Sequence, residues 1–322
     1  MPAYAAERSR QMKFCRLQRI NQRMEENAGG FIARAEQRYS DRIRQVAEYL
    51  AACCEEKPVV LLSGPSGSGK TTTALRIESL LDSWGHETHT LSMDNYFLPS
   101  GTGVMPLDEN GNPDFENPQR LDIPLLEEHL QRIFRCEPVE VPIFDFKTQS
   151  RPGSIPLHRK PGELVILEGI HALNPAVTGR SDDSMTGIYV SVRTRITGER
   201  GQALHPAKIR LMRRLIRDKL FRGREAEETI RMFQSVSRGE QLYIMPYKYR
   251  AHIDIDTFMA YEPAVYRDLL LPGLRALDPE FLQQMGESDL PPFLEAMRPD
   301  DASLVPEDSL IREFIGGSIY HH

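Results

Sequence analysis

The residues best equipped for chemistry lie in GPSGSGKT, residues 64–71. Gly64, Gly69, Lys70 and Thr71 fit the spacing GxxxxGK[ST], with Pro65, Ser66, Gly67 and Ser68 between them. Glycines let successive backbone N–H groups curl around phosphate oxygens without Cβ clashes. A helix opening at Lys70, Thr71 and Thr72 turns its positive end toward the same charge. Lys70 would then reach the β and γ phosphates of a nucleotide, and the Thr71 hydroxyl would ligate magnesium. Residues 64–72 thus read as a phosphate cradle.

Such a cradle needs a second carboxylate near the metal, at the end of a neighbouring buried strand. LVILEG supplies Glu168 after four apolar residues. LSMDNYF places Asp94 just past another strand, where it could accept a hydroxyl's proton or share the metal shell. In KIRLMRRLIRDKLFRGR, Arg210, Arg213, Arg214 and Arg217 fall at i, i+3, i+4 and i+7, one stripe of a helix. Arg222 and Arg224 flank Gly223, a natural helix stop. Like charges crowded on one face destabilise a helix unless anions visit it, so the stripe reads as a lid that closes on phosphates. A docking face for RNA is the competing reading.

Three classes of protein use this cradle. A GTPase switch needs NKxD or TKxD, and a transport ATPase needs an LSGGQ-like signature; the sequence has neither. A kinase needs a base and mobile cations, and both are represented.

Those residues need rigid elements behind them. After Lys57-Pro58 the run VVLLS has the apolar, β-branched character of a buried parallel strand. Strand-like runs at 87–93, 139–146, 163–167, 187–192 and 252–258 alternate with helix-like stretches at 70–84, 123–134, 206–221, 226–237 and 263–274. That alternation implies βαβ units and a doubly wound α/β domain. Residues 98–118, rich in Pro, Gly, Asn and Asp, form an excursion at the sheet's edge. The N-terminal segment, 1–57, is helical, broken at Ala28-Gly29-Gly30, and reads as a packing or oligomer-forming element. The kinase-like domain spans 58–275, with the lid at 206–238, and an acidic tail occupies 276–322.

A net charge of -6 argues against a dedicated binder of nucleic acid or of anionic membranes. The sequence lacks both an apolar run of membrane-spanning length and a secretory signal core, so a cytoplasmic location is the default. Cys15, Cys53, Cys54 and Cys136 form no CxxC pair and read as reduced thiols; His86 and His89 lack the HExxH spacing of a zinc site.

Taken in order, GPSGSGKT, LSMDNYF, DFENP, FDFKTQSR, LVILEGI and RRLIRDKLFRGR resemble the uridine kinase and phosphoribulokinase family of P-loop kinases. The resemblance covers 59–274, and the REFIGGS tail at 312–318 is similar to that of bacterial uridine kinase-like proteins. It implies a P-loop NTPase-type fold with Asp94 as catalytic base, assisted by Lys70, Arg217 and Arg222. Thr71, Glu168 and Asp94 would hold Mg2+, with ATP or GTP as donor. Tyr96 and Phe97 would line the acceptor site, and Glu116 in DFENP would face sugar hydroxyls where the family usually has Asp. Arg214, Arg217, Arg222 and Arg224 would close on phosphates and nucleoside. Where uridine–cytidine kinases carry Tyr and His against the pyrimidine, this chain has Phe144 and Gln149, and Arg151 is retained. The implied reaction moves a γ-phosphate to a nucleoside 5′-hydroxyl. The two substitutions leave open a sugar or other small alcohol, and a nucleotide-binding regulator without transfer is the third reading.

Overall fold

VVLLS becomes the middle strand of the molecule because it is buried on both faces. In the computed structural model, residues 13–103, 105–179, 184–198 and 203–320 are described. The elements run β1 (Lys13–Arg16), α1 (Leu17–Cys53), β2 (Val59–Ser63), α2 (Lys70–Ser83), β3 (Thr88–Ser92), α3 (Ile123–Phe134), β4 (Val139–Asp145) and β5 (Ser150–Leu157). They continue with β6 (Leu164–Glu168), α4 (Pro175–Thr178), β7 (Met185–Ser191), β8 (Thr194–Thr197), β9 (Ala203–Leu204), α5 (Pro206–Arg222) and α6 (Ala226–Gly239). The chain closes with β10 (Ile253–Asp256), α7 (Glu262–Arg275), α8 (Pro279–Gln284), α9 (Leu290–Ala296) and α10 (Arg312–Ile315).

Among the described residues, five parallel strands form the central sheet in the order β10-β7-β2-β6-β3. Successive residues of β2 serve opposite layers. Val60 and Leu62 pack with α1, α2, α5 and α7, while Val59 and Leu61 pack with α3 and β4. A central strand that serves both layers is apolar on both faces, which is why VVLL in β2 and LVIL in β6 read as unbroken apolar runs. From β2 the chain crosses to β3 on one side and later passes from β6 to β7 on the other, so the direction of winding reverses around β2. The crevice at its carboxyl end is where such sheets bind ligands.

Two expectations change. The run at 139–146 is not part of this sheet: β4 pairs antiparallel with β5 in a separate two-stranded hairpin. A connection this short cannot carry the crossover that parallel pairing needs. Pro152 and Pro156 lack the N–H groups of a central strand, and most of β5 is exposed. The break in the N-terminal helix falls at Asn27 (φ -167, ψ 84), where the Asn27 side chain accepts a hydrogen bond from Gly30 N at 2.8 Å.

The terminal segments share the core of the sheet's α2 side. Ile20, Ile32, Val46 and Leu50 of α1 and Leu290, Leu294, Ile311 and Phe314 of the tail belong to one apolar cluster with α2. Polar ties fix the same junction. The Tyr39 hydroxyl is 2.8 Å from Thr73 Oγ1, and Arg76 donates to Ser40 Oγ at 2.7 Å and to the Asp308 carbonyl at 3.1 Å. Among the described residues no helix is long and apolar enough to cross a membrane.

Candidate active site

The site begins where three neighbouring strands end. Glu168 pairs in register with Leu62 of β2 and with Ser92 of β3, so the cradle, Glu168 and Ser92 emerge side by side. Glu168 Oε1 accepts from Ser92 Oγ at 2.8 Å and faces the Thr71 hydroxyl at 3.5 Å. One step beyond Ser92, the 3-10 turn Met93–Tyr96 carries Asp94, whose N–H lies 3.4 Å from Ser92 Oγ.

The loop's glycines are dictated by what surrounds it. A Cβ at Gly64 would overlap the Val190 carbonyl, and one at Gly69 (φ 81) would sit 2.6 Å from Leu310 of the tail. The Ser68 hydroxyl is buried and has no hydrogen-bond partner among the described residues. Lys70 Nζ is 3.4 Å from the Pro65 carbonyl, at the mouth of the loop.

Electrostatics place Lys70 among three acids. Its charge lowers the pKa of Asp94, Glu116 and Glu168, in each case against a larger rise from burial. Glu168 and Glu116 are both pushed up to about 7. Asp94 is raised as well, with Arg222 and Arg217 also opposing burial. Solvent still reaches Asp94, so water tempers that rise where the buried Glu168 has no such relief. Thr71, Glu168 and Asp94 together could hold a hard divalent cation: an all-oxygen donor set whose carboxylates lack sufficient counter-charge.

Three arginines of the stripe turn onto the phosphate loop itself. Arg213 and Glu262 meet at 2.7 Å with both side chains fully buried, and Arg213 also donates to the Gly67 carbonyl at 3.1 Å. Arg210 donates to the Ser66 carbonyl at 3.1 Å and pairs with Glu240, while Arg214 reaches Ser66 Oγ at 2.5 Å. These three brace the loop and are themselves shielded, which removes the RNA-docking reading of the stripe. Arg214, Arg217, Arg222 and Arg224 gather around Asp218, at 3.7, 3.0, 3.4 and 3.9 Å. Asp218 is fully buried and relieves the repulsion that the stripe alone would suffer.

The phosphoribulokinase / uridine kinase family pattern matches residues 59–195. A uridine kinase from Geobacillus sp. (strain WCH70) is 30% identical over 202 residues, 62% of this chain and 86% of that protein. One from Oceanobacillus iheyensis is 32% identical over 204 residues, 62% of this chain and 87% of its own length. The chain belongs to the phosphoribulokinase / uridine kinase family. Members are phosphotransferases that act on hydroxyl groups, and this protein is one. A solved D-glycerate 3-kinase from Cryptococcus neoformans var. grubii is 16% identical with a TM-score of 0.45, over 63% of this chain and 88% of that one.

Within this family member several implied contacts go elsewhere. Tyr96 is fully buried and its hydroxyl meets His129 Nδ1 at 2.9 Å, so it faces the core and not an acceptor. The Arg151 guanidinium holds the Asp94 turn from behind, donating to the Tyr96 and Phe97 carbonyls and to Asp122 at 2.8, 3.1 and 2.9 Å. Gln149 (φ 51) closes the hairpin turn, its amide donating to the Phe146 carbonyl at 2.8 Å. The Thr72 hydroxyl turns outward to Glu313 of the tail at 2.6 Å. Phe97 and Phe144 do come together, 5.7 Å apart, and Phe146 completes an aromatic wall 5.1 Å from Phe144.

Other residues at the site escaped the sequence. His171, three positions after Glu168, is buried, held down to about 4 by that burial, and its Nδ1 has no partner among the described residues. Its ring stands edge-on to Tyr243, which donates to Asp114 at 2.7 Å and seats the segment carrying Glu116. Glu87, His89 and Glu163 also place ligand atoms within 4.8 Å of one another, but at the opposite end of β3 and β6. Glu163 there is already bonded to His89 and to Lys160 N.

Proposed function

We propose that the protein is a cytoplasmic, magnesium-dependent kinase moving the γ-phosphate of ATP or GTP to the 5′-hydroxyl of a nucleoside, uridine or cytidine first. The observation that carries this reading is Lys70 acting at once on Asp94, Glu116 and Glu168, three acids suited to a base, a sugar contact and a metal ligand. Asp94 takes the acceptor's proton as its oxygen bonds to the γ-phosphorus and the β–γ bridging bond breaks. Lys70, Arg217 and Arg222 balance the charge that spreads over the phosphoryl oxygens, with Arg214 and Arg224 held in the same cluster. Magnesium bound by Thr71, Glu168 and Asp94 would neutralise the phosphates. Most of the rate comes from positioning and charge balance. The ring wall of Phe97, Phe144 and Phe146 suits a flat base, and Glu116 suits a ribose.

One observation favours a second reading, transfer to a non-nucleoside sugar or small alcohol. The Gln149 amide is spent on its own turn and the Tyr96 hydroxyl on His129, so neither reads a base edge. Purified protein with ATP and a panel of uridine, cytidine, ribose, glycerate and ribulose 5-phosphate separates the two. We expect kcat/KM for a pyrimidine nucleoside to exceed every other acceptor by at least about tenfold. Turnover of a non-nucleoside alone rejects the nucleoside, and nucleotide binding with no turnover rejects the kinase.

The raised carboxyls predict a pH profile. A carboxyl near 7 is neutral below that pH, and only its charged form can ligate a cation or attract a proton. At limiting magnesium, kcat/KM should rise about tenfold between about pH 6 and 8, and saturating magnesium should move that rise to lower pH. Stability runs the other way. Ionising either buried acid disfavours the ligand-free fold, so the fold weakens as pH climbs from the ordinary 4.5 through about 7. A flat profile at limiting magnesium would mean that Glu168 is not a ligand.

A further inference from the structure

The N-terminal helix carries charges that the kinase site does not use. Its kink at Asn27 makes two limbs of α1 face each other. Arg19 and Arg23 stand four residues apart on the first limb, and Arg34 and Arg38 four apart on the second. All four, with Arg16, line one cavity of about 1410 Å³ between the limbs and β8, to which no residue of the phosphate cradle contributes. Glu26 is the acid that lines it with them. None of the five guanidinium groups makes a hydrogen bond or ion pair among the described residues. Elsewhere this chain pairs its arginines closely, as at Glu262, Asp218 and Glu295. Like charges four apart on a helix repel. Here two such pairs also face each other across a concave surface, an arrangement an anion would relieve.

Cys15 reports that both limbs bear on one point. Burial raises its thiol, and the charges of Arg19 and Arg38, one from each limb, pull it back.

We propose that this groove is a second anion site that takes a soluble oligophosphate, such as a nucleoside triphosphate. Arginine forks grip phosphate oxygens in pairs, and a cavity closed on two sides suits a compact ligand more than a polymer. Phe14, 55% exposed at the rim, offers one ring for a base. A nucleic acid would need a longer track of stacking rings, and a chain of net charge -6 repels a long polyanion. The groove is independent of the kinase reading, so either can fail without the other.

The test is titration of the full chain with inorganic tripolyphosphate, using Lys70→Ala to weaken the cradle. We expect one equivalent to bind Lys70→Ala, and adding Arg19→Glu and Arg38→Glu to weaken it at least about tenfold. Arg19→Gln with Arg38→Gln, gentler changes at exposed positions, should weaken binding by an intermediate factor while circular dichroism stays that of the parent. Tripolyphosphate should also slow alkylation of Cys15, mapped by peptide mass, and leave Cys136 unchanged. No binding to Lys70→Ala, unchanged affinity in the charge-reversed protein, or an unprotected Cys15 each overturns the proposal. Tighter binding of a uridine oligoribonucleotide than of tripolyphosphate overturns the choice of ligand.

Discussion

Asp94→Asn is expected to lower the transfer rate by about 10³-fold while nucleotide affinity stays within about threefold. The amide has nearly the shape of the carboxylate, and the turn does not depend on the charge. Its anchors are the Asp94 N–H near Ser92 Oγ and the three Arg151 bonds that hold its far side. What the amide cannot do is take a proton. Asp94 is suited to that task because it is open to the cleft while burial raises its pKa toward the range of a useful base. Nucleotide affinity should survive because the loop, Lys70 and Thr71 are untouched. The measurement is single-turnover transfer alongside equilibrium binding of a fluorescent nucleotide. Transfer at the parent's rate would show that another group accepts the proton. An equal loss of both quantities would make Asp94 a binding residue, with the base elsewhere.

The cradle, Glu168 and Asp94 were legible because each is fixed by its neighbours in sequence. A glycine-rich turn after VVLLS has few ways to fold, and an acid after four buried residues must surface at a strand's end. Side-chain direction was harder to read. Helical spacing set Arg210, Arg213, Arg214 and Arg217 on one face and suggested a lid whose cations all close on phosphates. The acids that bury two of them, Glu240 and Glu262, come from 30 and 49 residues away. A local pattern carries no signal for partners so distant. The hairpin shows a second limit: 139–146 is apolar enough for the sheet, and only the short connection to β5 keeps it out. Tyr96 and Arg151 stand in motif positions yet serve the motif's support, since a loop that presents Asp94 must itself be tied to something. The tail read as acidic and unassigned because its excess of Asp and Glu stands out and it carries no motif for chemistry. Leu310 and Phe314, however, seal the cradle's outer side, against Gly69 and Arg213. Asp218 was within reach of the sequence. It lies four residues after Arg214 and four before Arg222, an acid at the centre of a basic stripe.

That acid supports the second large prediction. Asp218→Asn should lower kcat by about 10²-fold and cost about 2–3 kcal/mol of stability, with little loss of nucleotide affinity. The stability figure sits below that of a fully buried pair because Arg217, Arg222 and Arg224 keep 16, 47 and 31% of their side chains exposed. Solvent therefore takes over part of the stabilisation that Asp218 provides. The effect on rate follows from geometry. Four guanidinium groups converge on one carboxylate, and Arg217 and Arg222 also act on Asp94, so Asp218 aims the charges that must meet the transferring phosphoryl group. Without it they repel one another and separate. Ground-state binding should change little, because the pocket loses one negative charge just as it loses order, and the two effects on a polyanionic nucleotide oppose each other. The predicted signature is thus a fall in kcat with a nearly constant KM for the donor, together with a lower urea midpoint. A lower midpoint with unchanged kcat would leave Asp218 as a packing residue and place the phosphate-handling cations elsewhere. A rise in donor KM matching the fall in kcat/KM would mean that the arginines bind the ground state and transition state equally.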